Sequence, residues 1–288
     1  MLSKKNISIP GLVLKIIIAW AMIAFVVYPV VSLLIQTFWQ DGSLTTDVVG
    51  KVFSSARAVK SLKNSFILAF TLVVTVNIVG TLCVLFTEYW DIKGANILRL
   101  SYMTSLIYSG VVLVSGYKYV YGANGLLTKL LLMVFPNMNP NWFVGYGAVV
   151  FVMTFSCTQN HMMFLKNAIH SLDYHTVEAA KNMGAGGATI FFKVVLPVLK
   201  PTFFAITILT FLTGLGAMSA PLIVGGENFQ TINPMIITFS RSTYSRGVAA
   251  FLAIILGIAT IILLSVFSRI EKSGNYVSVS KTKAKLTK

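Results

Sequence analysis

Residues 177–201 read VEAAKNMGAGGATIFFKVVLPVLKP, a small, glycine-punctuated insert between two long apolar runs. Ala179, Ala180 and Lys181 are good helix formers. Asp173, just ahead of them, is a fair N-cap whose carboxylate accepts bonds from free backbone N–H groups one turn on. Gly184 stands where a helix-ending glycine is expected, and Gly186 and Gly187 permit the chain to reverse direction. The following ATIFFKVVL predicts a second short helix that Pro197 ends or kinks, with Pro201 marking entry to the next apolar run. Two short helices joined by a tight glycine turn bury little by themselves. Leu172, Val177, Ala180 and Met183 recur at roughly helical spacing, which predicts an exposed apolar stripe that wants a partner.

The sequence around the insert sets the class. Of the 288 residues, 56% are apolar and 11% charged, against about 25% charged in a soluble domain. A bilayer asks for about 20 apolar residues per helix and for internal pairing of every backbone group. Six segments meet that length: 12–38, 65–87, 97–121, 144–165, 202–224 and 248–268. The expected fold is therefore an all-α polytopic membrane protein, six transmembrane helices with the insert as a loop between the fourth and fifth. The first apolar run is far longer than the ~7–15 residues of a signal-peptide core and lacks a clean small-residue cleavage site, so it reads as a retained span.

Orientation follows from the basic residues. With the N-terminus inside, Lys51, Arg57, Lys60, Lys63, Lys118, Lys129, Arg241 and Arg246 fall outside; these are eight of the 23 Lys and Arg, which leaves 15 on the inner side. That excess places both termini and the insert in the cytoplasm. The chain divides into residues 1–64 (first span and external loop), 65–270 (a five-span core with the insert at 167–201) and 271–288, a basic tail suited to anionic lipid. Residues 39–64 read as a polar outer loop. Residues 122–143 predict an amphipathic helix at the outer surface, and 225–247 a re-entrant or surface-lying outer element.

Several function classes drop out. The net charge of +15 raises nucleic acid as a partner, but no nucleic-acid-binding motif is present, and the basic residues flank apolar segments, where they serve topology. Cys83 and Cys157 lie inside apolar runs and read as small buried hydrophobes. His161, His170 and His175 lack the i, i+4 spacing that puts two imidazoles on one helix face, so they read as solvated or packing histidines and no metal site is expected. No G-x-x-x-x-G-K-[ST] loop occurs, so ATP binding is not expected in this chain. Ionisable residues are all but absent at mid-depth, with Lys15 and Lys118 near span ends where they can snorkel, and this argues against an ion-coupled carrier. Uncharged polar residues do recur within the spans, as helix-to-helix hydrogen bonds or as the lining of an aqueous path. Asn77, Tyr108, Thr213 and Ser219 are the candidates for such a path, with Gly214, Gly216 and Pro221 weakening the fifth helix where a gate would bend.

The insert also carries a pattern: Glu178-Ala179-Ala180, three residues, Gly184, nine residues, Val194, one residue, Leu196-Pro197. It resembles the EAA loop of binding-protein-dependent ABC importer permeases, departing only in Val for the usual Ile, and it lies between the fourth and fifth of six spans. The resemblance implies a type I permease whose loop is a coupling helix. Glu178, Ala179, Ala180, Gly184, Leu196 and Pro197 would dock a separate ATPase subunit, two copies of which hold the ATP and Mg in the assembly, this chain having no cofactor of its own. It further implies a bacterial inner-membrane location, a second permease subunit (a heterodimer favoured over a homodimer) and an extracytoplasmic solute-binding protein. EAAKNMGAG is similar to the subgroup importing polyamines, ferric iron, sulfate-type anions and phosphonates. GLGAMSAPLIVGG, residues 214–226, resembles the FGAPxLLGG region of ferric-iron permeases and, less closely, the matching region of polyamine permeases, which makes ferric iron or a polyamine the expected solute. Two other classes compete: a membrane scaffold whose hairpin docks a non-transport partner, and an ion-coupled carrier.

Overall fold

The computed structural model describes residues 9–40, 43–90, 92–172, 174–242 and 245–273. The proposed cap Asp173 and the tail beyond 273 lie outside the described residues. Helices α1 (Ile9–Met22) and α2 (Tyr28–Phe38) flank a π-helical turn, Ile23–Val27. Two-residue strands β1 (Trp39–Gln40) and β2 (Ser43–Leu44) pair antiparallel, Trp39 opposite Leu44. Then come α3 (Asp47–Ser54), α4 (Ala56–Val84) with a terminal π turn (Leu85–Tyr89), α5 (Ala95–Met103), α6 (Gly110–Tyr121) and α7 (Leu126–Val134). The chain continues through α8 (Tyr146–Cys157), α9 (Gln159–His170), α10 (Tyr174–Asn182) and α11 (Gly187–Ile190). It closes with α12 (Leu196–Leu215), α13 (Ser219–Val224), α14 (Ile232–Ser240) and α15 (Arg246–Ser273).

Five stretches are long and apolar enough to cross a bilayer: Leu12–Ile35, Ala56–Tyr89, Tyr146–His170, Gly187–Leu215 and Arg246–Arg269. The third expected span, 97–121, is instead two helices, α5 and α6, separated by a 3₁₀ turn at Thr104–Leu106 and an extended Ser109. The Ser109 hydroxyl accepts from the Val112 N–H and so starts α6 afresh, a local alternative to helix that serine and threonine offer readily. The second span also differs, beginning at Ala56 rather than 65 because Ser55 accepts from the Ala58 N–H at 3.4 Å. Residues 47–54 of the expected outer loop form α3, with Asp47 in its first turn and Lys51 in its last, both of the sign the helix dipole favours.

Pro197 does not end the helix in which it lies. Helix runs from Gly187 through Leu215 without a break, and a π turn at Phe191–Val195 precedes the proline, the Leu196 N–H bonding to the Phe191 carbonyl. Widening the turn by one residue moves away the carbonyl that the proline ring would strike. Pro29, in α2, follows a π turn of the same kind, with the Tyr28 N–H on the Ile23 carbonyl.

Among the described residues two compact units are distinguished, one of those up to 59 with 235–255 and one of 60–234 with 256–273. The linear divisions at 64/65 and 270/271 read from the sequence thus differ from the grouping in space, which joins 235–255 to the N-terminal segment. In the first unit Phe38 meets Phe251 edge-on at 5.9 Å between ring centroids, and Val48, Val52 and Leu252 are buried. In the second unit one apolar cluster joins α4, α6, α8 and α13 through Leu72, Val114, Val149, Val152 and Ala220. Lipid tails are as apolar as leucine, so close packing and polar bonds rather than water exclusion hold such helices together. Two glycine seams show it: a Cβ on Gly214 would come within 2.7 Å of Ala69 Cα, and one on Gly80 within 2.5 Å of the His161 ring.

Candidate functional site

The hairpin at 174–195 is built from the residues singled out in the sequence. Helix α10 ends in a Schellman motif: the Ala185 N–H bonds to the Ala180 carbonyl at 3.0 Å and the Gly184 N–H to the Lys181 carbonyl at 2.9 Å. Gly184 takes the left-handed conformation this closure needs, φ +81°, with nothing within 4 Å of where a Cβ would be. The requirement for glycine is therefore conformational, not steric.

The apolar stripe of α10 differs from its sequence expectation. Val177 and Ala180 are buried, Leu172 packs beside them, and their partners are this chain's own Val84, Leu165, Ile169, Ile190 and Leu199. Only Met183, 81% exposed, is left facing outward. Helical spacing shows that a stripe exists, but not whether the chain's own bundle covers it. Of the six docking candidates, Glu178, Ala179, Gly184 and Pro197 are exposed, Leu196 is half-buried and Ala180 faces the core. Glu178 Oε2 lies 3.7 Å from His175 Nδ1, one turn earlier on the surface, a pair worth little in energy.

The path candidates separate. Tyr108, Thr213 and Ser219 line one cavity of about 310 Å³ together with Ser105, Ser156 and Gln159. It lies where the two interrupted helices meet: a Cβ on Gly110, at the start of α6, would lie 3.1 Å from Ser219 Oγ at the start of α13. The carbonyls freed by the gap between α12 and α13 are satisfied by side chains, Asn233 Nδ2 donating to the Gly216 oxygen at 2.6 Å and Thr231 Oγ1 to the Ala217 oxygen at 2.9 Å. Irregular backbone at membrane depth is tolerated where such partners or a cavity receive it. Gln159 Oε1 is buried without a hydrogen-bond partner.

Asn77 lies elsewhere, in a polar joint between spans. Its Nδ2 donates to the Val73 carbonyl at 2.6 Å and to Thr207 Oγ1 at 3.1 Å, and its Oδ1 lies 3.1 Å from His161 Nε2. His161 is fully buried over Gly80, while His170 and His175 face carboxylates nearer the surface. Cys83 and Cys157 are buried free thiols.

Sequence reasoning passed over Gln159 and, more consequentially, Glu88. The Glu88 side chain is 1% exposed, with Arg99 Nε at 2.6 Å and Lys166 Nζ at 3.7 Å from Oε1, and His170 Nε2 at 2.8 Å from Oε2. An acidic residue closing an apolar run was a visible signal, but partners 11, 78 and 82 positions away were not.

Interrupted helices around a polar cavity and a glycine-closed hairpin on a helical bundle define a polytopic membrane protein of the transport-permease class. The profile of the family described as "Binding-protein-dependent transport system inner membrane component" matches residues 99–273. The chain belongs to that family.

Relatives and solved structures agree. The chain is 35% identical over 272 residues to the probable ABC transporter permease protein y4fN of Sinorhizobium fredii, covering 94% of this chain and 48% of that protein. To the ferric transport system permease protein FbpB of Actinobacillus pleuropneumoniae it is 23% identical over 257 residues, 89% of this chain and 37% of that one. It is 21% identical over 229 residues to the putative 2-aminoethylphosphonate transport system permease protein PhnU of Salmonella typhi, 79% of each. The chain thus spans about half or less of the length of the first two relatives. The fold matches a bacterial ABC transporter that imports the acidic polysaccharide alginate, with TM-score 0.73, 13% identity and coverage of 91% and 94% of the two chains. It also matches the MetNI methionine ABC transporter, with TM-score 0.57, 16% identity and coverage of 80% and 99%.

Proposed function

We propose that this chain is the permease subunit of an ATP-driven importer, forming the path for a small solute delivered by an external binding protein and driven by a separate ATPase seated on the hairpin. The observation that carries the reading is the construction of that hairpin. Val177 and Ala180 root α10 in the bundle, the Schellman turn at Gly184 closes it, and Glu178, Ala179 and Met183 are left facing outward. A rooted, capped and outward-facing helix can pass on a push from a partner, which a floppy loop cannot. Two ATPase copies, holding the ATP and Mg, a second permease subunit in a heterodimer and an extracytoplasmic binding protein complete the assembly, with both termini cytoplasmic. A solved neighbour, the alginate transporter in complex with a substrate-bound periplasmic protein, supports an assembly of this type.

In this reading Tyr108, Thr213 and Ser219 belong to the path, Gln159 joins them, and Asn77 serves as a joint between helices. Ferric iron is the favoured solute, with a polyamine second. The FbpB relative carries a ferric transport name, and hydroxyl and amide oxygens are hard donors suited to a hard cation. The PhnU relative makes a phosphonate the outcome that would overturn that choice.

The test is affinity purification of the tagged chain from its native membrane. A stoichiometric ATPase, and uptake that vanadate blocks, support the importer. A non-ATPase partner would favour the scaffold reading, and uptake abolished by a protonophore but indifferent to vanadate would favour the ion-coupled carrier.

A further inference from the structure

Glu88 takes no part in the docking surface or the cavity, yet its burial asks for an explanation. A carboxylate out of water is costly unless it is paired. This one closes α4 at its carbonyl end, where the helix dipole disfavours negative charge. A leucine or threonine would end the same helix without that cost. The carboxylate instead draws together two cations and an imidazole on two other elements. Arg99, on α5, donates its Nε–H at 2.6 Å and is itself held by Asn96 Oδ1 at 3.2 Å. Lys166 and His170 lie in the last turns of α9. Only residues 171–173 separate His170 from α10, the outward-facing helix of the hairpin. Beside the carboxylate, Val84 and Leu85 of the same helix end share one apolar cluster with Ile169, Val177 and Ala180.

We infer that Glu88 is a positioning residue for energy coupling: it binds the end of α4 and the middle of α5 to the root of the hairpin, so that displacing the hairpin moves all three as one body. The inference rests on the docking reading above. Without Glu88 a push on α10 would be taken up by bending at the end of α9 and would not reach the second and third spans.

The test places spin labels at Ile97→Cys on α5 and Thr176→Cys on α10, both exposed, in a chain carrying Cys83→Ser and Cys157→Ser. The label separation is measured by double electron–electron resonance in the full complex from its own membrane, nucleotide-free and then trapped with ATP and vanadate. With Glu88 present the separation stays the same in the two states. Glu88→Gln and His170→Gln broaden the distribution and shift its mean between states while the ATPase still co-purifies, and Glu88→Asp, which keeps the charge facing Arg99 and Lys166, stays nearer the parent. A purely structural role would lower the melting temperature and leave the separations alone. A shift beyond about 2 Å in the parent, the scale of ordinary helix displacements, overturns the inference. So do Gln variants indistinguishable from the parent. If Glu88→Gln fails to insert, His170→Gln decides, since that imidazole is 59% exposed and its loss leaves Glu88 two partners. A parent chain that purifies without an ATPase overturns the docking reading itself, and the inference falls with it.

Discussion

The His161 imidazole lies directly over Gly80, so that a Cβ added to the glycine would come within 2.5 Å of the ring. The fourth span can approach the second this closely only because residue 80 has no side chain, and the approach brings His161 Nε2 to Asn77 Oδ1 at 3.1 Å. Gly80→Val should therefore force the helices apart at a cost of about 1–3 kcal/mol, the usual penalty for overpacking. Thermal unfolding in detergent measures it, and adding His161→Ala should recover most of the loss by vacating the space.

Gly184 tests conformation without sterics. Its φ of +81° faces open space, so Gly184→Ala should cost about 1–2 kcal/mol for the left-handed backbone alone. Gly184→Asn should cost less, since asparagine tolerates that region. Amide hydrogen exchange across 174–190 would resolve the order Gly, Asn, Ala, with the Ala185 amide the first to lose protection.

Glu178 separates docking from stability. The carboxylate is 52% exposed and its contact with His175 spans 3.7 Å, so Glu178→Ala should leave the melting temperature unchanged within about 1 kcal/mol equivalent. ATPase recovery on the tagged chain should fall all the same. Equal recovery from Glu178→Ala and parent membranes would remove Glu178 from the dock.

Thr231 holds the gap in the fifth span. Its hydroxyl is buried and donates to the Ala217 carbonyl at 2.9 Å. Thr231→Val keeps the shape and leaves that carbonyl without its partner, for an expected loss of about 1–3 kcal/mol. Thr210→Val, whose hydroxyl is equally buried but has no partner, should be neutral or stabilising in the same melt.

Gln159 should show the opposite balance. Its Oε1 is buried and unpartnered at the wall of the cavity, so Gln159→Leu removes an unsatisfied acceptor and should leave stability equal or higher. Uptake should drop if the amide meets the solute. Unchanged uptake would take Gln159 out of the path.

The legible parts of this protein were those carried by local chemistry. Apolar length announced the spans, and the Gly184 turn was predicted from one glycine after a run of helix formers. The six-residue pattern of the hairpin is legible in order, but its partition into exposed Glu178 and buried Ala180 is not, because helical spacing defines a face without saying what lies opposite. The polar residues of the spans looked alike in the sequence. Tyr108, Thr213 and Ser219 converge on one cavity, whereas Asn77 turns to His161 and Thr207. Of the two outcomes open for Pro197, an end or a kink, the end does not occur: a π turn at Phe191–Val195 carries the helix through it.

Membrane class, helical architecture and the place of the hairpin follow from the order of residues, since the bilayer's demand for length and for paired backbone groups acts segment by segment. Tertiary structure alone decided which side chains meet. It seated His161 on Gly80, opened the cavity between the two interrupted helices, and brought Glu88 to Arg99, Lys166 and His170. Those contacts join residues far apart in the chain, and a buried charge or a close helix crossing is tolerated only where distant partners complete it.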